Sequence, residues 1–453
     1  MRSESESFDV VEAALDAAGV PEADAVLVST DRNISRFANS NLHQNMSEVT
    51  AELTLRVVVE GAIGVATTTV LDREEIGRIA ALAREAARHS NPLPNFKGLY
   101  CDNTPAPVLN TFDAGTAAIA PAAKASELRD MFDAGRGSAI QFAGAYTTGA
   151  MAVATANTHG VRRFCQATSA DATVIALHAG GSGYASRCAR SAKEVDIGAL
   201  GQEATAKATL RSGRTSDLQP GAYDVILEPA AIAEVLDWMN MIAFSGQSFE
   251  DGSSFFVGHM DELMFDPSIT VADDAVDESF LPFPFDMEGL PKRRVPLIER
   301  GVIRTPVVDK TYSDRLGIPP TANAWHLGSP DHGSAFHLSM EGGNASRQEL
   351  IASTKRGIWV TRFNYVNGLL EPRSALMTGT TRDGTFLVEN GEIVARLPNL
   401  RWTQSMVEAF ASVEGLTAER RRIGTWYNAF GGTVAPTVKI RGWNVTGVQQ
   451  TAT

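Results

Sequence analysis

A chain of 453 residues exceeds what one hydrophobic core usually serves, and its 44% apolar and 21% charged residues are those of an ordinary soluble globular protein of two or three domains. A formal net charge of −13 without a Lys/Arg stripe excludes a nucleic-acid or anionic-membrane surface, which needs clustered cations; Lys292, Arg293 and Arg294 lie close to acidic residues. No run approaches the roughly 20 apolar residues that span a bilayer. The acidic start Met1-Arg2-Ser3-Glu4-Ser5-Glu6 lacks a signal-peptide core, and Cys101, Cys165 and Cys188 form no CxxC pair, so the expected location is the cytoplasm.

In chain order, residues 8–19 show helical spacing, and strand-like runs follow at 25–30, 34–38, 49–59 and 62–69. A charged helix over 73–88 closes this unit. After the link Asn91-Pro92-Leu93-Pro94-Asn95 the order recurs: a helix at 122–134, strands near 139–146, 150–156, 162–178 and 184–188, and a helix at 192–210. Phe37-Ala38-Asn39-Ser40-Asn41-Leu42-His43 parallels Val153-Ala154-Thr155-Ala156-Asn157-Thr158-His159. Gly61-Ala62-Ile63-Gly64-Val65-Ala66 parallels Gly180-Gly181-Ser182-Gly183-Tyr184-Ala185. The reading is two copies of one unit, although hairpin chemistry alone also favours Asn and Gly at such turns.

A polar break at 214–222 leads into a region rich in β signals. A strand at 223–227 precedes a helix opening at Glu228-Pro229, whose Ile232, Val235, Leu236 and Met239 form one buried stripe. Glu299-Arg300-Gly301-Val302, Asp383-Gly384 and Glu389-Asn390-Gly391-Glu392 are hairpin signals, and helices are expected near 347–355 and 403–412. The expected fold class is α+β. Residues 1–213 form a duplicated α-β-α head with antiparallel strands (repeats about 8–90 and 118–211), and residues 222–453 form a large, mostly β domain with a few helices.

Chemistry is hard to place. There is no HExxH, no GxSxG and no cysteine beside an evident base. Gly180-Gly181-Ser182-Gly183 lacks the Lys-Ser/Thr of a phosphate loop and reads as a hairpin turn. His326, His332 and His337 are spaced so that a loop around Gly328, Pro330 and Gly333 could gather imidazoles, against the simpler reading of solvated or hydrogen-bonding loop histidines. Asp273, Asp274, Asp277 and Glu278 read as an acidic solvated loop rather than a cation site.

The C-terminal half carries a resemblance. Asp224-Val225-Ile226-Leu227-Glu228-Pro229, Gly252-Ser253-Ser254-Phe255-Phe256, Glu262-Leu263 and Thr270-Val271-Ala272-Asp273-Asp274 resemble the TldD/TldE (PmbA) family, also described as modulators of DNA gyrase. Ile298-Glu299-Arg300-Gly301-Val302, Gln348-Glu349-Leu350-Ile351, Gly357-Ile358-Trp359-Val360, Val388-Glu389-Asn390-Gly391-Glu392-Ile393 and Pro436-Thr437-Val438-Lys439-Ile440 look like its later landmarks.

In that family the TldD-type subunit binds zinc through HExxxH on the first helix of this domain and a late cysteine. The resemblance places the motif on Asp237-Trp238-Met239-Asn240-Met241-Ile242, with Asp237 and Ile242 at the two His positions and Trp238 at the Glu; the cysteine's place falls at 422–424. These degenerate positions imply a chain similar to TldE: no metal, no cofactor and no catalytic residue of its own. The resemblance also implies a heterodimer with a zinc-bearing TldD-type subunit whose chamber processes unfolded peptides, with Trp238 filling the vacated pocket or simply half-buried. Two alternatives stay open: a diverged peptidase with a relocated site at His326, His332 and His337, and a stand-alone homodimer that binds peptides.

Overall fold

The structure is a computed structural model and describes residues 1–325, 327, 333–424 and 431–448. It begins with α1 (Glu4–Ala18), whose Ser3 and Glu6 form a reciprocal capping box. There follow β1 (Glu22–Ala38), β2 (Asn41–Val59), β3 (Ala62–Thr68), α2 (Arg73–His89), α3 (Ala114–Ala117) and α4 (Pro121–Arg136). The series continues with β4 (Gln141–Asn157), β5 (Arg162–His178), β6 (Gly181–Ala189) and α5 (Ile197–Thr209). These six strands make one antiparallel sheet in the order β3-β2-β1-β4-β5-β6, so two three-strand halves meet at the β1–β4 pair.

Each half carries helices on the same side. Phe8, Val11, Ile79 and Ala83 of α1 and α2 pack on Leu53, Leu55 and Val57. Leu128, Met131, Leu200 and Ala204 of α4 and α5 pack on Phe142, Val174 and Ala185. Gly64 and Gly183 hold the same role in the two halves. A Cβ on Gly64 would lie 2.0 Å from the Ala83 carbonyl oxygen, and one on Gly183 2.1 Å from that of Ala204. The Asn/Ser hairpin parallel is shifted, because Asn41 opens β2 whereas Asn157 closes β4. The strand pairs read at 25–30 and 34–38, and at 139–146 and 150–156, are each one continuous strand; strand pairing carries the ladder through the polar residues that divide the apolar pattern.

The second half comprises β7 (Gly221–Leu227), α6 (Pro229–Met239), a π-turn (Asn240–Phe244), α7 (Gly246–Glu250), β8 (Val271–Asp274), β9 (Arg294–Glu299), β10 (Val302–Ile303) and α8 (Lys310–Leu316). Then come β11 (His337–Met340), α9 (Arg347–Ala352), β12 (Arg356–Glu371), β13 (Leu376–Glu389), β14 (Glu392–Arg396), β15 (Leu400–Ser405), α10 (Met406–Ala411), β16 (Val413–Gly424) and β17 (Gly432–Val448). β7, β12, β13, β15 and β17 pair in succession, and β17 pairs back onto β7, closing a ring. Phe363, Trp402 and Trp443 stack at its core with ring centroids 4.7–5.6 Å apart, and α6 lies against β12 and β17. The class is α+β.

Three readings are corrected. Asp383-Gly384 is a bulge inside β13, with both residues at positive φ and Arg382 and Thr385 still paired to β12. Residues 403–405 belong to a strand, because Trp402 and Thr403 pair with β13, and the helix starts only after the Ser405 cap. Asp273 is a fully buried residue of β8 that accepts from Lys292 Nζ (3.2 Å), Asn323 Nδ2 (2.8 Å) and the His337 N–H (2.9 Å). It is not in a solvated loop.

Candidate functional site

α6 starts with Pro229 in its first turn after Glu228, and buries Ile232, Val235, Leu236 and Met239 as one stripe. The helix then loosens into the π-turn at Asn240–Phe244. In a straight α-helix residues five apart diverge by roughly 140°, whereas i→i+5 bonding draws them together. Asp237 and Ile242 straddle this junction, and both are buried.

The Asp237 carboxylate accepts a 2.8 Å hydrogen bond from Thr433 Oγ1 at the start of β17. Burial pushes its pKa up to about 7; the Thr433 bond opposes the shift and the Glu234 carboxylate adds to it. Glu234 is itself shifted up by burial, with Arg362 and the Trp238 indole pulling it back. Trp238, half-buried, lies over Gly368, where a Cβ would come within 2.9 Å of its ring.

Thr433 pairs with Ile423 of β16, and Gly432 with Gly424, so the strand stretch 422–424 does adjoin Asp237 through Thr433. Gly424 leaves room for the Asp171 carboxyl, 2.6 Å from where a Cβ would stand. Burial raises the Asp171 pKa to about 6, with Arg32 opposing. Arg422 is bound to Glu194 at 2.7 Å. Zinc needs three N, S or O donors and an open position. At the positions the resemblance sets at the zinc, the Asp237 carboxyl with its Thr433 hydroxyl, the Trp238 indole, Ile242 and Ile423 do not fit that set. Among the described residues no three His, Cys, Asp or Glu side chains are grouped to hold a metal.

His326 and His332 lie outside the described residues. His337 does not lie in a loop; it opens β11 and pairs parallel with Gly432. Burial drives its pKa down to about 4, against the pull of Asp273. Its ring nitrogens form no well-shaped hydrogen bond among the described residues, although the ring is near the Leu281 carbonyl. The ring borders a cavity of about 20 Å³ with Asp286, Lys292, Phe283, Phe285 and Trp325, room for a single water.

Sequence reasoning missed Asn240, Thr433 and Glu234. Asn240 Nδ2 donates to the Ala335 carbonyl (2.9 Å) and its Oδ1 accepts from the Ala335 N–H (3.1 Å), so the π-turn fixes the approach to β11. A polar Asn after an apolar helical stripe was the available signal. Thr433 gave none, since its partner is 196 residues away.

Two family models match: the PmbA/TldA metallopeptidase C-terminal domain over residues 220–447 and the PmbA/TldA metallopeptidase domain 1 over 23–87. A metalloprotease of Methanothermobacter thermautotrophicus is 21% identical over 227 residues, 50% of this chain and 49% of its own length. The zinc metalloprotease TldD homolog of Saccharolobus solfataricus is 28% identical over 146 residues, 30% of each chain. The chain thus spans about half or less of the curated relatives it matches. Among solved structures, TldE from Thermococcus kodakarensis superposes with a TM-score of 0.87 at 17% identity, covering 98% of this chain and 100% of that one. A Thermotoga maritima protein described as a candidate modulator of DNA gyrase superposes at 0.84 and 19% identity, with 98% and 100% covered. Such identities establish the shared fold, and the C-terminal family model covers half of the sequence: the chain belongs to the PmbA/TldD metallopeptidase family.

Proposed function

We propose that this chain is the non-catalytic, TldE-like subunit of a cytosolic TldD/TldE-type metallopeptidase. In that role it shapes the chamber in which a zinc-bearing TldD-type partner cleaves or trims unfolded peptides. The observation that carries the reading is the side-chain set at the α6–β17 contact. Asp237, Trp238 and Ile242 stand where the resemblance puts two histidines and a glutamate, and Asp237 is satisfied by Thr433. A metal-activated water needs ligands that polarise it and a base that takes its proton. Trp238 and Ile242 offer neither.

The test is zinc content of the purified chain by elemental analysis, together with cleavage of an unfolded peptide by the same sample. Zinc below about a tenth of an equivalent and no cleavage are expected. Near-stoichiometric zinc with chelator-sensitive cleavage overturns the reading, and loss of that cleavage in His332→Ala would then locate the site. Mixing with a TldD-type subunit is expected to yield a complex whose cleavage is abolished by mutating that subunit's zinc ligands, not Asp237.

A further inference from the structure

The two halves of the head correspond residue by residue where helix meets strand. Gly64 lies against the Ala83 carbonyl oxygen and the Ala87 nitrogen, and Gly183 against those of Ala204 and Ala208. That register sets Thr205 of α5 in the place of Arg84 of α2, Gly201 in that of Ala80 and Gly198 in that of Gly77. In the first half Arg84 closes the cleft between the helices. Its guanidinium donates to the Ala17 and Ala18 carbonyls at the C-terminus of α1, 2.6 and 2.7 Å away. Thr205 is too short to do the same. The cleft between α4 and α5 is an open groove of about 560 Å³, with Gly198, Gly201 and Thr205 along one wall. Small-molecule sites run to roughly 300–1,000 Å³.

The groove has an apolar floor and an acidic rim. Met131, Phe142 and Ile197 are buried beneath it. Gly201 lets Met131 lie close, since a Cβ there would stand 2.6 Å from the Met131 side chain. Glu127, Asp130 and Asp196 line the rim against one base, Lys193. Partial burial and the Asp196 and Asp130 carboxylates raise the Glu127 pKa, with Lys124 opposing. Lys124 is committed elsewhere: it is fully buried, and its Nζ donates to the carbonyls of Asn33 (3.0 Å) and Tyr146 (3.4 Å). Ala134 and Gly135, at the C-terminal end of α4, also line the groove, and a helix end of that kind carries partial negative charge.

We infer that this groove binds a small organic cation, a guanidinium or ammonium group carried on an apolar chain. The cationic head takes the place that Arg84 fills in the first half, between the helix end and the rim carboxylates. The chain lies on the floor of Met131, Phe142 and Ile197. An anion of the same shape meets three carboxylates, and a neutral ligand leaves them without a counter-charge. The site belongs to the helices of the head and does not depend on the zinc-free reading of α6.

The test is isothermal titration of the purified chain with 4-phenylbutylamine, and with 4-phenylbutan-1-ol and 4-phenylbutyrate, which share its carbon skeleton. The amine is expected to bind with a Kd below about 1 mM and at least about tenfold more tightly than either control. Thr205→Arg supplies from within the guanidinium that Arg84 supplies to the first half, and is expected to weaken amine binding at least about tenfold with no loss of melting temperature. Glu127→Gln, a change on the exposed rim, is expected to weaken it about threefold or more. Equal binding of amine and alcohol, or no binding of the amine, overturns the inference. So does wild-type affinity in a folded Thr205→Arg variant or in Glu127→Gln.

Discussion

Asp237 is a carboxyl in a nearly closed pocket with one neutral donor, Thr433, and a second carboxylate, Glu234, close by. Its folded pKa of about 7 stands above the ~3.9 of an unfolded Asp, so the folded state binds the extra proton between those values. The stabilisation linked to that proton is complete below about pH 4 and is lost as pH rises through 7. Asp237→Asn keeps an acceptor for Thr433 and removes the titration. Between pH 5 and 8 the wild type should therefore lose on the order of 2 kcal/mol relative to the variant, read as the difference in urea midpoints at the two pH values. A constant difference across that range would mean the carboxyl is ionised in the fold. His337, shifted down by burial, acts in the opposite sense on the acid side, so the comparison must be made between variants, not on the wild type alone.

The two halves of the head provide an internal control at the scale of the element. Gly64 and Gly183 let α2 and α5 close on their strands, whereas Gly77, on the exposed face of α2, would meet nothing within 4 Å if it gained a Cβ. Gly64→Ala and Gly183→Ala should each cost about 1–3 kcal/mol or more, because the clash is with helix backbone that cannot turn aside. Gly77→Ala should stabilise by roughly 0.5–1 kcal/mol through helix propensity. Thermal melts of the three variants check both signs. The paired strand glycines were visible in the sequence as an echo of two GAIG-like and GSGY-like runs. Their shared reason, contact with the backbone of a following helix, was not visible, since turn chemistry explains the same letters. The Asp383-Gly384 bulge shows that ambiguity resolved the other way: a turn-forming pair lies inside a strand because its neighbours on both sides are paired.

Across the whole molecule, head and body are joined by buried polar groups as well as apolar ones. The Arg396 guanidinium donates to the carbonyls of Lys207 (2.8 Å), Ala208 (3.1 Å) and Leu210 (3.2 Å) at the C-terminus of α5, and to that of Ser182 (2.8 Å). Gly181 leaves space for it. Lys207 Nζ bonds Glu228 at 2.7 Å, and Glu228 accepts from Arg347 (2.9 Å) and from the Trp359 indole (3.2 Å). On the far side Arg56 joins Asp24 and Glu288, 2.9 Å away, while Phe283, Phe285 and Met287 cover Val153 and Ala167 of the head sheet. Arg396→Ala leaves several buried carbonyls without a donor and should cost about 3 kcal/mol or more, by urea unfolding. Because the two halves hold separate apolar cores, that variant is expected to unfold in two resolved transitions.

The sequence by itself determined the α+β class, most strands and helices, the α6 stripe and the family. Periodicity of 2 and 3.6 and Gly/Asn turns are local chemistry, and an ordered set of landmarks survives great divergence. The resemblance also puts forward Asp237, Trp238 and Ile242 as degenerate zinc positions, because an indole and an isoleucine side chain cannot bind zinc. Tertiary structure alone decided that Asp237 meets Thr433, that Asp273 and His337 are interior, and that Asn240 holds the backbone of Ala335 ahead of β11. It alone closed β17 onto β7 and limited the β2–β3 pairing to residues 53–59 of β2. Each of these depends on which distant strand fills the next place in a sheet, and no local pattern in the chain specifies that neighbour.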